Sequence, residues 1–212
     1  MNEARLRSLV TPATTAAVTM ELQQGIVGEG VLLPALRDEC ERAGTIANAA
    51  RVCAAARTAG AQVVHFTLEP RADAAGFSTT SKIGALAMRQ RATEGAFATE
   101  AGSVGAALVP GLGAQSTDVT MARVHGLTPF MGTSLDPVLR SMGVTTVVAM
   151  GVSVNVGVLG LVLSAVDLGY QVVLVRDAVA GVPADYASSV IDLSLSMLAT
   201  VVTADELLAA WA

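Results

Sequence analysis

Aromatic residues are nearly missing from this chain, at 3%, so its core cannot rest on stacked rings. It must be built from Val, Leu, Ala and Ile, which suits buried parallel strands covered by helices on both faces. Cysteine occurs only as Cys40 and Cys53, too few for a disulfide framework, and a reducing, cytoplasmic setting is expected. The opening MNEARLRSLVTPATT holds no apolar signal segment, which points the same way. Basic clusters are absent and the net charge is −5, so nucleic acid is not an expected partner. The two histidines, His65 and His125, lie far apart with no flanking ligand cluster. Neither a metal nor another cofactor is therefore expected.

What the chain has in abundance is apolar side chains, 52% of its 212 residues. That is enough for one domain, 1–212, with a sizeable core. The run Thr145–Val166 carries no charge and is long enough to span a bilayer. Gly151, Ser153, Asn155 and Gly157 interrupt it, though. TTVVAM reads as a strand, VGVLGLVLSAVDLG as a buried helix, and QVVLV as the next strand. The pattern predicts strand, helix, strand and no membrane span.

Six such β-branched runs recur: Ala16–Met20, Gln62–Thr67, Asp118–Ala122, Thr145–Met150, Gln171–Val175 and Ala199–Thr203. Helices are expected over Leu33–Ala59 (one long or two shorter, closed by Gly60), Thr133–Met142, Asn155–Leu168, Ala184–Leu198 and Asp205–Trp211. Repeated strand–helix–strand units predict a three-layer α/β/α fold around a six-stranded parallel sheet. The stretch from about 69 to 113 breaks the pattern, being rich in glycine and without strong periodicity. An excursion of this kind reads as a lid or binding loop, or as a helical insertion that supports an oligomer interface.

In an open parallel sheet, ligands bind beyond the carboxyl ends of the strands. That rule selects Glu21, Gln23 and Gln24 after the first strand, Glu69 and Arg71 after the second, and Arg123 and His125 after the third. After the fourth come Ser153, Asn155 and the backbone of Val156 to Val158, at a helix start whose free N–H groups favour an anion or a developing oxyanion. A carboxylate at the end of an apolar strand is costly unless used or paired. Burial would raise the pKa of Glu21 and make it a usable proton donor. The competing reading is a structural salt bridge with Arg123. His125 could relay a proton or hold a substrate group, or act only as a hydrogen-bonding loop residue. His65, inside a strand, reads as a packed core histidine, and Cys40 and Cys53 as small apolar fillers.

Three segments together resemble the isochorismatase-like cysteine hydrolases: AAVTMELQQGIV (16–27), TPFMGTSLDPVLRSMGVTTVVAMGVSVNVGVLG (128–160) and AVDLGYQVVLVRDAVAG (165–181). The resemblance implies a catalytic triad of Asp, Lys and Cys, which align here with Glu21, Arg123 and Gly157. It also implies substrate-binding roles for Gln23, His125, Phe130, Ser153 and Asn155, a cis peptide between Val152 and Ser153, and a homo-oligomer, dimer or tetramer. Glycine cannot form an acyl-enzyme, so amide hydrolysis through a thiol is not expected. Isochorismatases of this superfamily also carry glycine there and cleave a vinyl ether by protonation and water addition, which a carboxylic acid can drive. Glu is one methylene longer than Asp, and Arg cannot shuttle a proton as Lys can. A glycine at position 157 is expected to leave space for a substrate group or a water.

Three functions follow. One is a hydrolase that acts on a small polar metabolite without a cysteine nucleophile, with Glu21 as general acid or base. The alternative is a catalytically inactive member that binds a ligand or a partner protein. A purely structural subunit in a mixed oligomer is a third.

Overall fold

The computed structural model describes residues 2–29, 31 and 33–212. Its strands are β1 (Thr15–Met20), β2 (Gln62–Leu68), β3 (Val119–Arg123), β4 (Thr146–Val152), β5 (Gln171–Ala180) and β6 (Thr200–Val202). Its α-helices are α1 (Glu3–Leu9), α2 (Gln24–Val27), α3 (Pro34–Ala43), α4 (Thr45–Ala59), α5 (Lys82–Glu94), α6 (Leu135–Ser141), α7 (Leu159–Asp167), α8 (Ala184–Leu193) and α9 (Ala204–Trp211). The strands form one sheet in the order β3-β2-β1-β4-β5-β6, and every pairing is parallel. This is the three-layer α/β/α architecture that the alternation of elements implies.

The side-chain alternation of the central strands divides the core into two layers. Ala17, Val148, Met150 and Val173 pack with Leu36, Val52, Ala56 and Leu207 on the α3, α4 and α9 side. Ala16, Val18, Val147 and Leu174 pack with Leu139, Leu161, Val162 and Val190 on the α6, α7 and α8 side. Because both faces are covered, β1 and β4 are buried along their whole length, which is why they read as unbroken apolar runs.

Several boundaries differ from the sequence reading for local reasons. The Leu33–Ala59 stretch is two helices, because Gly44 adopts a left-handed φ of 67° between them. The Asn155–Leu168 helix begins as a π turn, Val154–Val158, before α7. The Ala184–Leu198 helix ends at Leu193, and a 3₁₀ turn at Leu195–Met197 follows. β5 continues to Ala180, past a register shift in its pairing between Ala149 and Gly151. The terminal helix α9 starts one residue early on a Thr203–Glu206 capping box. The segment read as irregular contains α5, capped by Ser81, whose hydroxyl accepts from the Gly84 N–H at 3.0 Å.

A polar chain ties the edge strand to the core. His65 is fully buried, with Nδ1 2.7 Å from Thr19 Oγ1 and Nε2 3.1 Å from Asp118 Oδ2. Arg57 of α4 donates to both Asp118 oxygens, at 2.8 and 2.6 Å, and the Gln115 N–H donates to Oδ2 at 2.7 Å. Burial pushes the His65 pKa down, against the pull of Asp118. Burial opposes the Asp118 charge as well, but Arg57, the Gln115 amide and His65 outweigh it and hold the carboxyl at about 2. The network positions β3, whose far end carries Arg123.

No helix among the described residues is long and apolar enough to cross a membrane.

Candidate active site

The strand order reverses between β1 and β4, and the crevice at such a switch point is where open α/β sheets bind ligands. Glu21 follows β1 directly. Its φ of 55° lies in the left-handed region, which is uncommon outside glycine and costs a larger residue about 1 kcal/mol. The Glu21 N–H is held by the Phe66 carbonyl at 2.8 Å. Strain at a strand end beside a crevice is a mark of function when the surroundings enforce it.

Arg123 closes β3, two strands away from Glu21. Phe66 of β2 lies between them, in register with Met20 on one side and Met121 on the other. The Arg123 guanidinium sits 5.5 Å above the Phe66 ring. Its Nη2 donates to Glu21 Oε1, and its Nε donates to the Gly126 carbonyl at 3.2 Å. Nη1 is buried with no partner among the described residues. The Glu21 side chain is 14% exposed and that of Arg123 5%, so the carboxyl faces the crevice and the cation stands behind it. Burial raises the Glu21 pKa, while the charge and hydrogen bond of Arg123 pull it down; the net direction is up.

Glu21, Arg123, His125, Ser153 and Gly157 line one cavity of about 510 Å³. Five of the site residues read from the sequence therefore share one hollow. His125 stands exposed at its rim. The Val152–Ser153 peptide is cis. Gly157 is buried in the π turn; a β-carbon there would lie 3.0 Å from the Val152 carbonyl oxygen and 3.1 Å from Met20 Cε. The space expected beside Gly157 is thus already contested by Met20, which corrects the idea that glycine simply opens a hole. The expected run of free N–H groups is also reduced, because Val156 and Val158 both donate to the Ser153 carbonyl, at 3.0 and 3.1 Å.

Three residues expected to bind substrate do not line the cavity. Gln23 is fully buried. Its amide donates to the Leu68 and Ala106 carbonyls at 3.1 and 2.9 Å and accepts from the Leu68 N–H at 2.8 Å. It pins the 69–113 segment to the end of β2. Phe130 belongs to the core beneath α6, with its ring 5.9 Å from that of Tyr170. Asn155 donates to the Val182 carbonyl at 3.3 Å, and its Oδ1 is buried without a partner among the described residues. After β2, Glu69 accepts from the Thr67 hydroxyl at 2.8 Å and Arg71 pairs with exposed Asp73, and neither lines the cavity.

The sequence reading named none of the cavity's apolar wall. Phe77, Ile83, Leu86 and Phe97, with Leu36 and Leu68, supply it. The Phe77 and Phe97 rings lie 4.7 Å apart across the base of α5. In a chain so poor in aromatics, two phenylalanines flanking one irregular segment were a usable signal. Cys40 and Cys53 are buried on α3 and α4, away from the cavity, with their thiols pushed up to about 12 chiefly by burial. No thiol therefore serves this site. No group of three or more His, Cys, Asp or Glu that could hold a metal ion occurs among the described residues.

A family model described as the isochorismatase domain matches residues 15–206. The ureidoacrylate amidohydrolase RutB of Rhizobium rhizogenes is 32% identical over 174 residues, covering 79% of this chain and 70% of that protein. Among solved structures, an isochorismatase family protein of Desulfovibrio vulgaris is 27% identical with a TM-score of 0.78, over 92% of this chain and 96% of that one. Another, from Burkholderia thailandensis, is 26% identical with a TM-score of 0.72, over 94% and 96%.

Proposed function

The chain belongs to the isochorismatase family, and from that premise we propose that it is a hydrolase working without a cysteine nucleophile, with Glu21 as general acid and base. The observation that carries the reading is Glu21 itself. It is a strained, largely buried carboxyl with a raised pKa, backed by Arg123 and facing a cavity that no thiol lines. Protonated Glu21 gives its proton to the substrate atom that must gain one. Arg123 stabilises the carboxylate left behind. Water then adds to the activated carbon and returns a proton to Glu21, so the net change is addition of water and cleavage of one bond. Gly157, at the position of the family's thiol, leaves no covalent route. The substrate is a small metabolite whose polar reacting group meets Glu21, Ser153 and Gly157, with His125 at the rim.

The test is a panel of vinyl ethers, amides and esters assayed with wild type and Glu21→Gln. A drop of about 10²-fold or more in the variant is expected, as for loss of a general acid. Equal rates remove Glu21 from the mechanism.

One observation favours the alternative, a ligand-binding member without turnover: the Glu21–Arg123 pair satisfies both charges unaided. In that case no member of the panel is turned over by wild type while ligands still bind the cavity.

A further inference from the structure

The cavity wall carries information about the substrate. Among the residues that line it, carboxylate and guanidinium groups are confined to Glu21 and Arg123, with the imidazole of His125 at the exposed rim. Arg123 has no accessible donor to offer a ligand anion: Nη2 goes to Glu21, Nε to Gly126, and Nη1 is sealed from solvent. Part of the hydroxyl set on the wall is committed, while Ser153 and Thr99 keep neutral hydroxyls that no side-chain hydrogen bond among the described residues engages and that carry no countercharge for an anion. Ser78 and Thr80 bond each other at 2.9 Å, and Ser81 caps α5. A carboxylate that passes the rim would lose its water without gaining a free guanidinium or ammonium partner, which is unfavourable. When Glu21 is ionised, it would also face a like charge.

The rest of the wall is apolar, and part of it is left open. Ile83 and Leu86 of α5 are 44% and 41% exposed, and Leu33 and Leu127 are 39% each. Apolar side chains grouped at the mouth of a hollow mark a surface that a ligand covers. A volume of about 510 Å³ suits a small organic molecule.

We propose that the substrate is an uncharged molecule with a bulky apolar body, whose single polar reacting group meets Glu21. The proposal rests on the hydrolase reading of the same site and narrows its substrate class. Its test is binding, which does not depend on turnover. The full chain is titrated by fluorescence with neutral N-phenyl-naphthylamine and with its sulfonate, anilinonaphthalene sulfonate, two dyes of nearly the same body and different charge. The neutral dye is expected to bind at least about 10-fold tighter, a difference of about 1.4 kcal/mol. Leu86→Arg places a cation on the exposed wall and is expected to narrow or invert that preference. Ile83→Lys repeats the test should the first variant fold poorly by circular dichroism. A sulfonate that binds wild type as tightly as the neutral dye overturns the proposal, as does a preference that neither wall variant alters. The two readings fail separately. A wild type that takes the neutral dye yet turns over nothing in the panel loses the hydrolase alone. A sulfonate preference alongside Glu21-dependent hydrolysis loses only the uncharged substrate.

Discussion

Asp118→Asn is expected to destabilise the protein in a pH-dependent way, and the structure gives the size of the effect. Asp118 is 2% exposed and accepts from Arg57, His65 and the Gln115 amide. Its carboxyl is lowered from 3.8 to about 2, which corresponds to about 2 kcal/mol of stability in the ionised form. Water at the Arg57 end, which is 16% exposed, screens the pair and brings the expected figure to about 1–2 kcal/mol. The folded-state pKa is depressed, so this stability is fully present above the unfolded value of 3.8 and is lost as pH falls through about 2. About half is gone by about pH 3. The assay is urea unfolding of wild type and variant at several pH values from about 7 to about 3. The gap between them should be largest near neutrality and shrink by roughly half at the acid end. A gap that stays constant over this range refutes the reasoning, because the variant would then be removing packing or hydrogen bonds rather than a favourable charge. The position has a functional reach too, since β3 carries Arg123 at its opposite end. A loosened edge strand should therefore weaken activity as well as stability.

Other expectations follow from single contacts. Gln23→Ala leaves the half-buried Leu68 N–H and the buried Ala106 carbonyl without their partner, and thermal melts should show a loss of about 2 kcal/mol or more. Gly157→Ala presses a methyl group against Met20 and the Val152 carbonyl; a loss of about 1–2 kcal/mol by chemical denaturation is expected, and an unchanged midpoint would mean that Met20 yields freely. Because the Glu21 pKa is raised above 4.5, activity that needs its acid form should persist to higher pH than for an ordinary glutamate and fall as pH rises through the shifted value. A rate profile already falling near pH 4.5 contradicts that.

Much of the fold could be read from the chain because its strands are buried on both faces and so spell out β-branched runs, as in Val147–Val148 and Val172–Val173. Gly60 and Gly143 marked helix ends, and both adopt positive φ. Helix α5 was illegible for a physical reason. Its apolar residues Ile83, Leu86 and Ala87 line a hollow, with Ile83 and Leu86 partly exposed to solvent, so they need not follow the spacing that burial against a sheet imposes. The site was legible in part. The strand-end rule found Glu21, Arg123, His125, Ser153 and Gly157, but it could not separate Glu21 from Gln23, two residues along. A left-handed backbone turns at Glu21, while the Gln23 amide closes onto the chain at Leu68 and Ala106. Nothing in residue type or spacing distinguishes those outcomes. Phe130 and Asn155 fell on turns next to the cavity without lining it.

The central claim is hydrolysis by a carboxyl in place of a thiol. The most direct measurement is kcat/KM on the best substrate of the panel for three samples: wild type, wild type treated with iodoacetamide, and Glu21→Gln. Alkylation should leave the rate unchanged, since Cys40 and Cys53 are buried and lie off the cavity, and Glu21→Gln should lower it about 10²-fold. A rate abolished by alkylation, or one kept by Glu21→Gln, would contradict the account.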